Sequence, residues 1–102
     1  MDDVLILMKE AFTTDARGIR KATFTERQVF CQVHSISRSE FYDAGRNGLS
    51  PEYEFTVFAG DYDGERTCRY SGSTYAIYRT YRVPGTDYME LYAQTEGGTN
   101  GK

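Results

Sequence analysis

The chain has 102 residues and a net charge of −3, which is material for one modest core and no general basic face that would neutralise nucleic-acid phosphates; a sequence-specific DNA reader is not expected on that ground. Nine Tyr and six Phe without Trp, among many Thr and several Val, suit a pleated, half-buried surface better than helices. The acidic lead Met1, Asp2, Asp3 and the short apolar run after it suit neither a secretory signal nor a membrane span, and Cys31 and Cys68, without an export signal, read as reduced core residues.

Residues 4–8, from Val4 to Met8, are apolar on both faces and predict a first strand covered on both sides or held between subunits. Residues 11–21 turn polar around Thr13, Thr14, Asp15, Arg17 and Gly18, and predict an exposed, mobile loop. Alternation resumes over residues 22–36. Val29, Cys31, Val33 and Ser35 share one face and Phe30, Gln32, His34 and Ile36 the other, giving a long second strand whose small apolar face suits a barrel interior.

The pattern breaks at Ser37-Arg38-Ser39-Glu40, a capping box in which the Ser37 hydroxyl and the Glu40 carboxylate each satisfy a backbone donor at the other's position. A short helix follows, with Phe41, Tyr42 and Ala44 on its apolar side, ended at Gly45 or Gly48 before Pro51 imposes extended geometry. Residues 53–59 place Tyr53, Phe55, Val57 and Ala59 together on a third strand, and Asp63-Gly64 predicts a tight hairpin into the fourth. Runs at 66–70, 74–83 and 87–95, divided by the turn pairs Ser71-Gly72 and Pro84-Gly85, complete a meander.

The expected fold is mainly β: a single domain over residues 1–95, a small six-stranded β-barrel with one short α-helix in the connection between strands two and three. A two-sheet sandwich is the other arrangement of the same elements. Residues 96–102 are Gly-rich with little to bury, and are expected to form a flexible tail or a late-ordering arm.

No catalytic residue, cofactor or metal is expected. The lone histidine, His34, lies mid-strand without a Gly-flanked nucleophile turn, and one His with two distant Cys is a poor start on a zinc site. Asp61, Asp63 and Glu65 lack a calcium loop and are better explained by the turn, while Gly45 and Gly48 lack the Gly-Lys-Ser/Thr ending of a phosphate cradle. Fifteen acids make carboxylate pairs neither improbable nor indicated. Arg69, Arg79 and Arg82 beside tyrosines could form a single-strand stacking platform, against which the overall charge speaks.

The stretch Val29-Phe30-Cys31 through Val33 into Ser35-Ile36-Ser37-Arg38-Ser39-Glu40-Phe41-Tyr42 resembles the head-tail joining (head closure or head completion) proteins of tailed phages and prophages of Gram-positive bacteria. The likeness continues through Ala44-Gly45, Gly48-Leu49, Pro51-Glu52-Tyr53, Phe55, Tyr62, Gly64-Glu65, Tyr75, Ile77-Tyr78-Arg79-Thr80-Tyr81 and Glu90-Leu91, so that order and spacing over residues 4–92 carry it. The turn at Pro84-Gly85-Thr86-Asp87 and the Gly-rich tail depart from the family pattern.

The resemblance implies a β-barrel structural protein of the virion neck, present in the bacterial host cytoplasm during assembly. It would bind below the portal or adaptor protein after DNA packaging, form a dodecameric ring and offer the docking surface for a tail completion or terminator protein. An acidic lumen would touch packaged DNA only non-specifically and let it slide. No membrane partner is implied, and templated assembly makes the isolated chain an expected monomer.

In stopper members of the family the loop between strands two and three projects into the channel. By position that is segment 37–52 here, although Phe41 and Tyr42 closing the barrel's end is an equal reading. A helix the barrel does not need makes Arg38, Glu40, Phe41, Tyr42, Arg46 and Asn47 the candidate interaction residues. The alternatives are a tail-terminator or tail-side neck protein, and, from another class, a single-stranded nucleic-acid-binding barrel, which would require a basic groove.

Overall fold

A computed structural model of the protein describes residues 3–95; the expected tail at 96–102 lies outside the described residues. The elements are β1 (Asp3–Thr14), β2 (Arg20–Ser35), α1 (Arg38–Gly45), β3 (Pro51–Phe58), a 3-10 turn at Ala59–Asp61, β4 (Thr67–Tyr70), β5 (Ser73–Arg82) and β6 (Tyr88–Thr95). All pairings are antiparallel, and the strands close into a barrel in the order β1-β2-β3-β6-β5-β4. The seam is the short β1–β4 pairing, Ile6↔Arg69, Leu7↔Cys68 and Met8↔Thr67. Every strand therefore has two neighbours, which rules out the two-sheet sandwich and removes open edges from the body of the sheet.

The period of two along each strand fills the interior. Leu5, Leu7, Val29, Cys31, Phe55, Val57, Cys68, Tyr75, Ile77, Leu91 and Ala93 form one buried cluster, with the partly buried Tyr53 and Tyr70 packed against it. Cys and Ala at inward positions leave room for the Phe55 ring, whose centroid lies 5.3 Å from that of Tyr70 and 5.6 Å from that of Tyr53. Both cysteines are buried core residues, as their spacing without an export signal led one to expect.

Three expectations need correction. Residues 11–21 are not a loop: β1 runs on to Thr14 and β2 begins at Arg20, pairing through Thr14↔Arg20, so the connection shrinks to residues 15–19. Thr-rich polar sequence is compatible with strand wherever a ribbon is wet on both sides, and alternation is then no guide. The ribbon rises beyond the barrel and helps give the molecule its 50 Å long axis, against 33 and 24 Å for the others. At its tip the Asp15 carboxylate accepts from the backbone N–H of Arg17 at 2.8 Å and of Ile19 at 2.9 Å, and Gly18 takes a positive φ of 81°.

The second correction concerns Asp63-Gly64. Gly64 has the positive φ the dipeptide suggests, yet β3 and β4 are not neighbours; β3 lies between β2 and β6, opposite β4 in the ring. Residues 59–66 cross the barrel end instead, and Ala59 belongs to the 3-10 turn rather than to the inward face of β3. Glu65 fixes this crossing. It is 2 % exposed, takes the Arg27 guanidinium at 2.8 Å and the Asp63 N–H at 2.7 Å, and Arg27 also donates to the Asp61 carbonyl. Tyr62 closes the loop by donating to the Glu65 carbonyl at 2.6 Å. A local turn signal was outcompeted by a buried, fully hydrogen-bonded anchor.

The third correction is to the capping box. Ser37 caps α1 as expected, its hydroxyl accepting from the Glu40 N–H at 3.2 Å, but the Glu40 carboxylate does not return to Ser37. Its destination is the subject of the next section.

Candidate functional site

The helix α1 ends where Gly48, at φ 78°, lets the chain reverse: the Leu49 N–H reaches the Ala44 carbonyl at 3.1 Å and the Gly48 N–H the Gly45 carbonyl at 3.0 Å, a Schellman pattern. Of the two glycines considered, Gly48 makes the left-handed turn. Only Ala44 of the helix is buried, so packing alone holds it weakly against the barrel.

Glu40 supplies the attachment. The register of β5 against β6 shifts between Ile77 and Arg79, a bulge that aims two consecutive side chains, Tyr78 and Arg79, toward the helix. Tyr78 donates its hydroxyl to one Glu40 oxygen at 2.7 Å and Arg79 its guanidinium to the other at 2.5 Å. Arg79 also lies over the Tyr92 ring, 4.0 Å from its centroid, and the Tyr92 hydroxyl donates to Glu90 at 2.6 Å. Burial works against the Glu40 charge, but the Arg79 and Tyr78 hydrogen bonds outweigh it and hold the carboxyl below its ordinary value. Glu54 moves the other way, raised by burial and then by the neighbouring Glu90.

The six candidate residues thus separate. Phe41 and Tyr42 stand 53 % and 61 % exposed, their rings edge to face at 6.0 Å, and line a shallow concavity with Ile36 and Arg38. Glu40 and Asn47 belong to a different groove, shared with Asp43, Leu49, Tyr78 and Arg79. Arg46 is exposed and paired with Asp43 at 2.5 Å, while Asn47 donates to the Asp43 carbonyl at 3.1 Å. Glu40 is therefore a positioning residue that presents Phe41, Tyr42 and Arg38 outward. Tyr78 and Arg79, which do the holding, were not singled out for that part; a strand sequence gives no sign of a bulge.

The arginines considered as a stacking platform each have an intramolecular partner: Arg69 pairs with Glu26 at 2.9 Å, Arg79 with Glu40, and Arg82 donates to the Thr86 carbonyl at 3.1 Å. Among the described residues no group of three or more His, Cys, Asp and Glu side chains could hold a metal ion, and no helix is long and apolar enough to cross a membrane. His34 is exposed on the outer face of β2. The chain matches no protein-family model and no curated protein.

Glu40→Ala is expected to cost about 1 kcal/mol of global stability, a charge-assisted bond to a half-exposed Arg being worth little more. Its larger effect is local. Amide hydrogen exchange over α1 accelerates more than exchange in β3 or β6; equal acceleration everywhere would mean that Glu40 does not hold the helix.

Proposed function

We propose that the protein is a structural component of a tailed-phage neck, binding below the portal or adaptor ring after DNA packaging, closing the head and offering a surface for the tail. What supports this reading is a six-stranded closed barrel whose β2–β3 connection carries a capped helix, attached through Glu40, that the barrel does not require for closure and that turns Phe41 and Tyr42 to solvent. Two adjacent exposed aromatics on a short, rigidly held helix are the composition of an interaction anchor. The resemblance in order and spacing over the same segment supplies the identity of the partner.

Phe41→Ala with Tyr42→Ala tests it. Because both side chains are more than half exposed, the double variant keeps the melting temperature of the parent within a few degrees, a surface change being worth about 0.5 kcal/mol. Assembly onto DNA-filled, tailless heads, measured by co-sedimentation, falls at least about tenfold, as for removal of a hot-spot pair. Undiminished assembly overturns the role given to the helix; failure of the parent chain to bind filled heads overturns the neck reading itself.

A further inference from the structure

The β1–β2 ribbon beyond the barrel is the least explained part of the molecule. Past Met8 on β1 and before Arg27 on β2 every residue is exposed, and β1 from Lys9 onward and β2 before Cys31 have no second strand beside them. An isolated two-stranded ribbon is marginal in water. Its outer face nevertheless carries Phe12 and Phe24, 52 % and 51 % exposed, with Ile19 at the tip also half exposed. Arg20 stands on the same face and Arg17 in the tip turn, while Lys21 belongs to the opposite face; none of the three is in an ion pair among the described residues, and the Arg20 guanidinium lies 4.2 Å from the Phe12 ring centroid. Of the acids, Asp15 is occupied with backbone N–H groups, Glu26 is paired with Arg69, and Glu10 stands across from Phe24 nearer the barrel, so that the cationic surplus lies at the tip. In a chain of net charge −3 this tip is a cationic, aromatic finger.

A second exposed aromatic strip has the opposite charge. Val4 pairs with Phe30 across β1 and β2, Phe58 pairs with Tyr88 across β3 and β6, and Phe30 and Phe58 are the next outward positions after the Cys31↔Val57 pair. Phe30 is 71 % exposed, Phe58 49 % and Tyr88 52 %. On the same outer face, Glu54 and Glu90 sit on adjacent strands, close enough for Glu90 to bear on the Glu54 charge, and neither forms an ion pair among the described residues. Cross-strand aromatic pairs facing water, rimmed by acids, make an unpartnered belt.

The finger cannot cover its own belt. Both are built on β2, with the finger rising from residue 27 away from Phe30, so folding back would break the strand. We infer that the β1–β2 ribbon of one copy docks through Phe12, Phe24, Arg20 and, at its tip, Arg17 onto the Phe30, Phe58 and Tyr88 belt, rimmed by Glu54 and Glu90, of a second copy. The occupant is a second copy because the two surfaces are complementary in charge and alike in apolar character, and one chain carries both. Such a contact is head-to-tail, so it propagates, and closes into a ring when the rotation between copies allows. It deepens the neck reading and rests on it only for closure into that ring. Burial of the ribbon in the assembly also accounts for a two-stranded element too thin to be stable in water.

Reciprocal charge reversal tests the contact. In sedimentation equilibrium at protein concentrations up to about 1 mM, which reaches transient affinities, the parent chain shows an average mass that rises with concentration. Arg17→Glu with Arg20→Glu makes the finger acidic, and Glu54→Lys with Glu90→Lys makes the belt basic. Each reversed protein alone sets like charges against each other and weakens self-association at least about tenfold. A 1:1 mixture of the two restores opposite charges at both junctions and regains the parental association. Phe24→Ser, at an exposed position that leaves the barrel untouched, weakens association without altering charge, and guards against a misfolded charge variant.

A parent chain that stays monomeric throughout, reversed variants that associate like the parent, or a mixture that does not recover overturns the inference. Binding of the parent chain to filled heads while the mixture fails leaves the neck reading standing and removes the docking mode. Recovery in the mixture with no binding to heads does the reverse.

Discussion

Phe55→Ala is expected to lower the unfolding free energy by about 3–5 kcal/mol, the range for truncating a buried aromatic, which is a large part of the roughly 5–15 kcal/mol that small domains have. Phe55 is fully buried, and its strand β3 pairs Phe55 with Val33 on one side and Leu91 on the other. Three tyrosines crowd the same end of the interior: Tyr53 lies within 5.6 Å, centroid to centroid, of Phe55, Tyr70 and Tyr75. The cavity left by Ala has little chance to collapse, because a closed barrel fixes the spacing between its walls and the flanking inward residues Cys31, Cys68 and Ala93 are small.

Phe58→Ala serves as the contrast on the same strand. That ring is 49 % exposed on the outer face, and its truncation is expected to cost under about 1 kcal/mol. Urea denaturation of both variants, read as a shift in midpoint at constant slope, separates them. Equal costs for the two would mean that the alternation along β3 does not mark inside from outside.

That alternation is why the barrel was legible in the sequence. Val29, Cys31 and Val33, then Phe55 and Val57, then Ile77, then Leu91 and Ala93 repeat at the period of two because within the barrel each strand has one dry and one wet face, and turn pairs such as Ser71-Gly72 mark reversals by their positive φ. The helix was legible for the same local reason, Ser37 supplying a cap and Gly48 a left-handed exit.

What depends on distant partners was not legible. The ribbon over residues 9–28 has no dry face, so its strands leave no periodic mark. The crossing at Asp63-Gly64 carries the local chemistry of a hairpin, and only the meeting of Glu65 with Arg27, 38 residues away, decides otherwise. The candidate site divides along the same line. Exposed Phe41 and Tyr42 could be picked from the helical segment, whereas the function of Glu40 depended on a bulge that brings Tyr78 and Arg79 to it across 38 and 39 residues.

Glu65→Gln is expected to flatten the acid limb of the stability curve. Burial opposes the Glu65 charge, but the Arg27 hydrogen bond and the backbone N–H groups of Asp63 and of Glu65 itself outweigh it, so the carboxyl titrates below its ordinary value of 4.5. The Arg27 guanidinium is raised in turn, first by its hydrogen bond to Glu65, so both partners report a favourable pair. A depressed folded value means that the unfolded chain binds the proton first. The stability this carboxylate contributes is therefore fully present above its unfolded value near 4.5 and is lost as pH falls through the folded one. Because Arg27 is 43 % exposed and keeps water when its partner is removed, Glu65→Ala costs about 2 kcal/mol at neutral pH rather than the 3–5 kcal/mol of a fully buried pair. Glu40 and Asp63 are depressed as well and bend the parent and variant curves alike. The difference between parent and Glu65→Gln isolates the anchor: it is largest at neutral pH and shrinks toward zero in acid, where a protonated Glu65 and a Gln carry the same charge. Urea titrations from about pH 7 to about pH 3 measure it, and a difference that stays constant across that span would show that Arg27 and Glu65 do not form the latch that carries the chain across the barrel end.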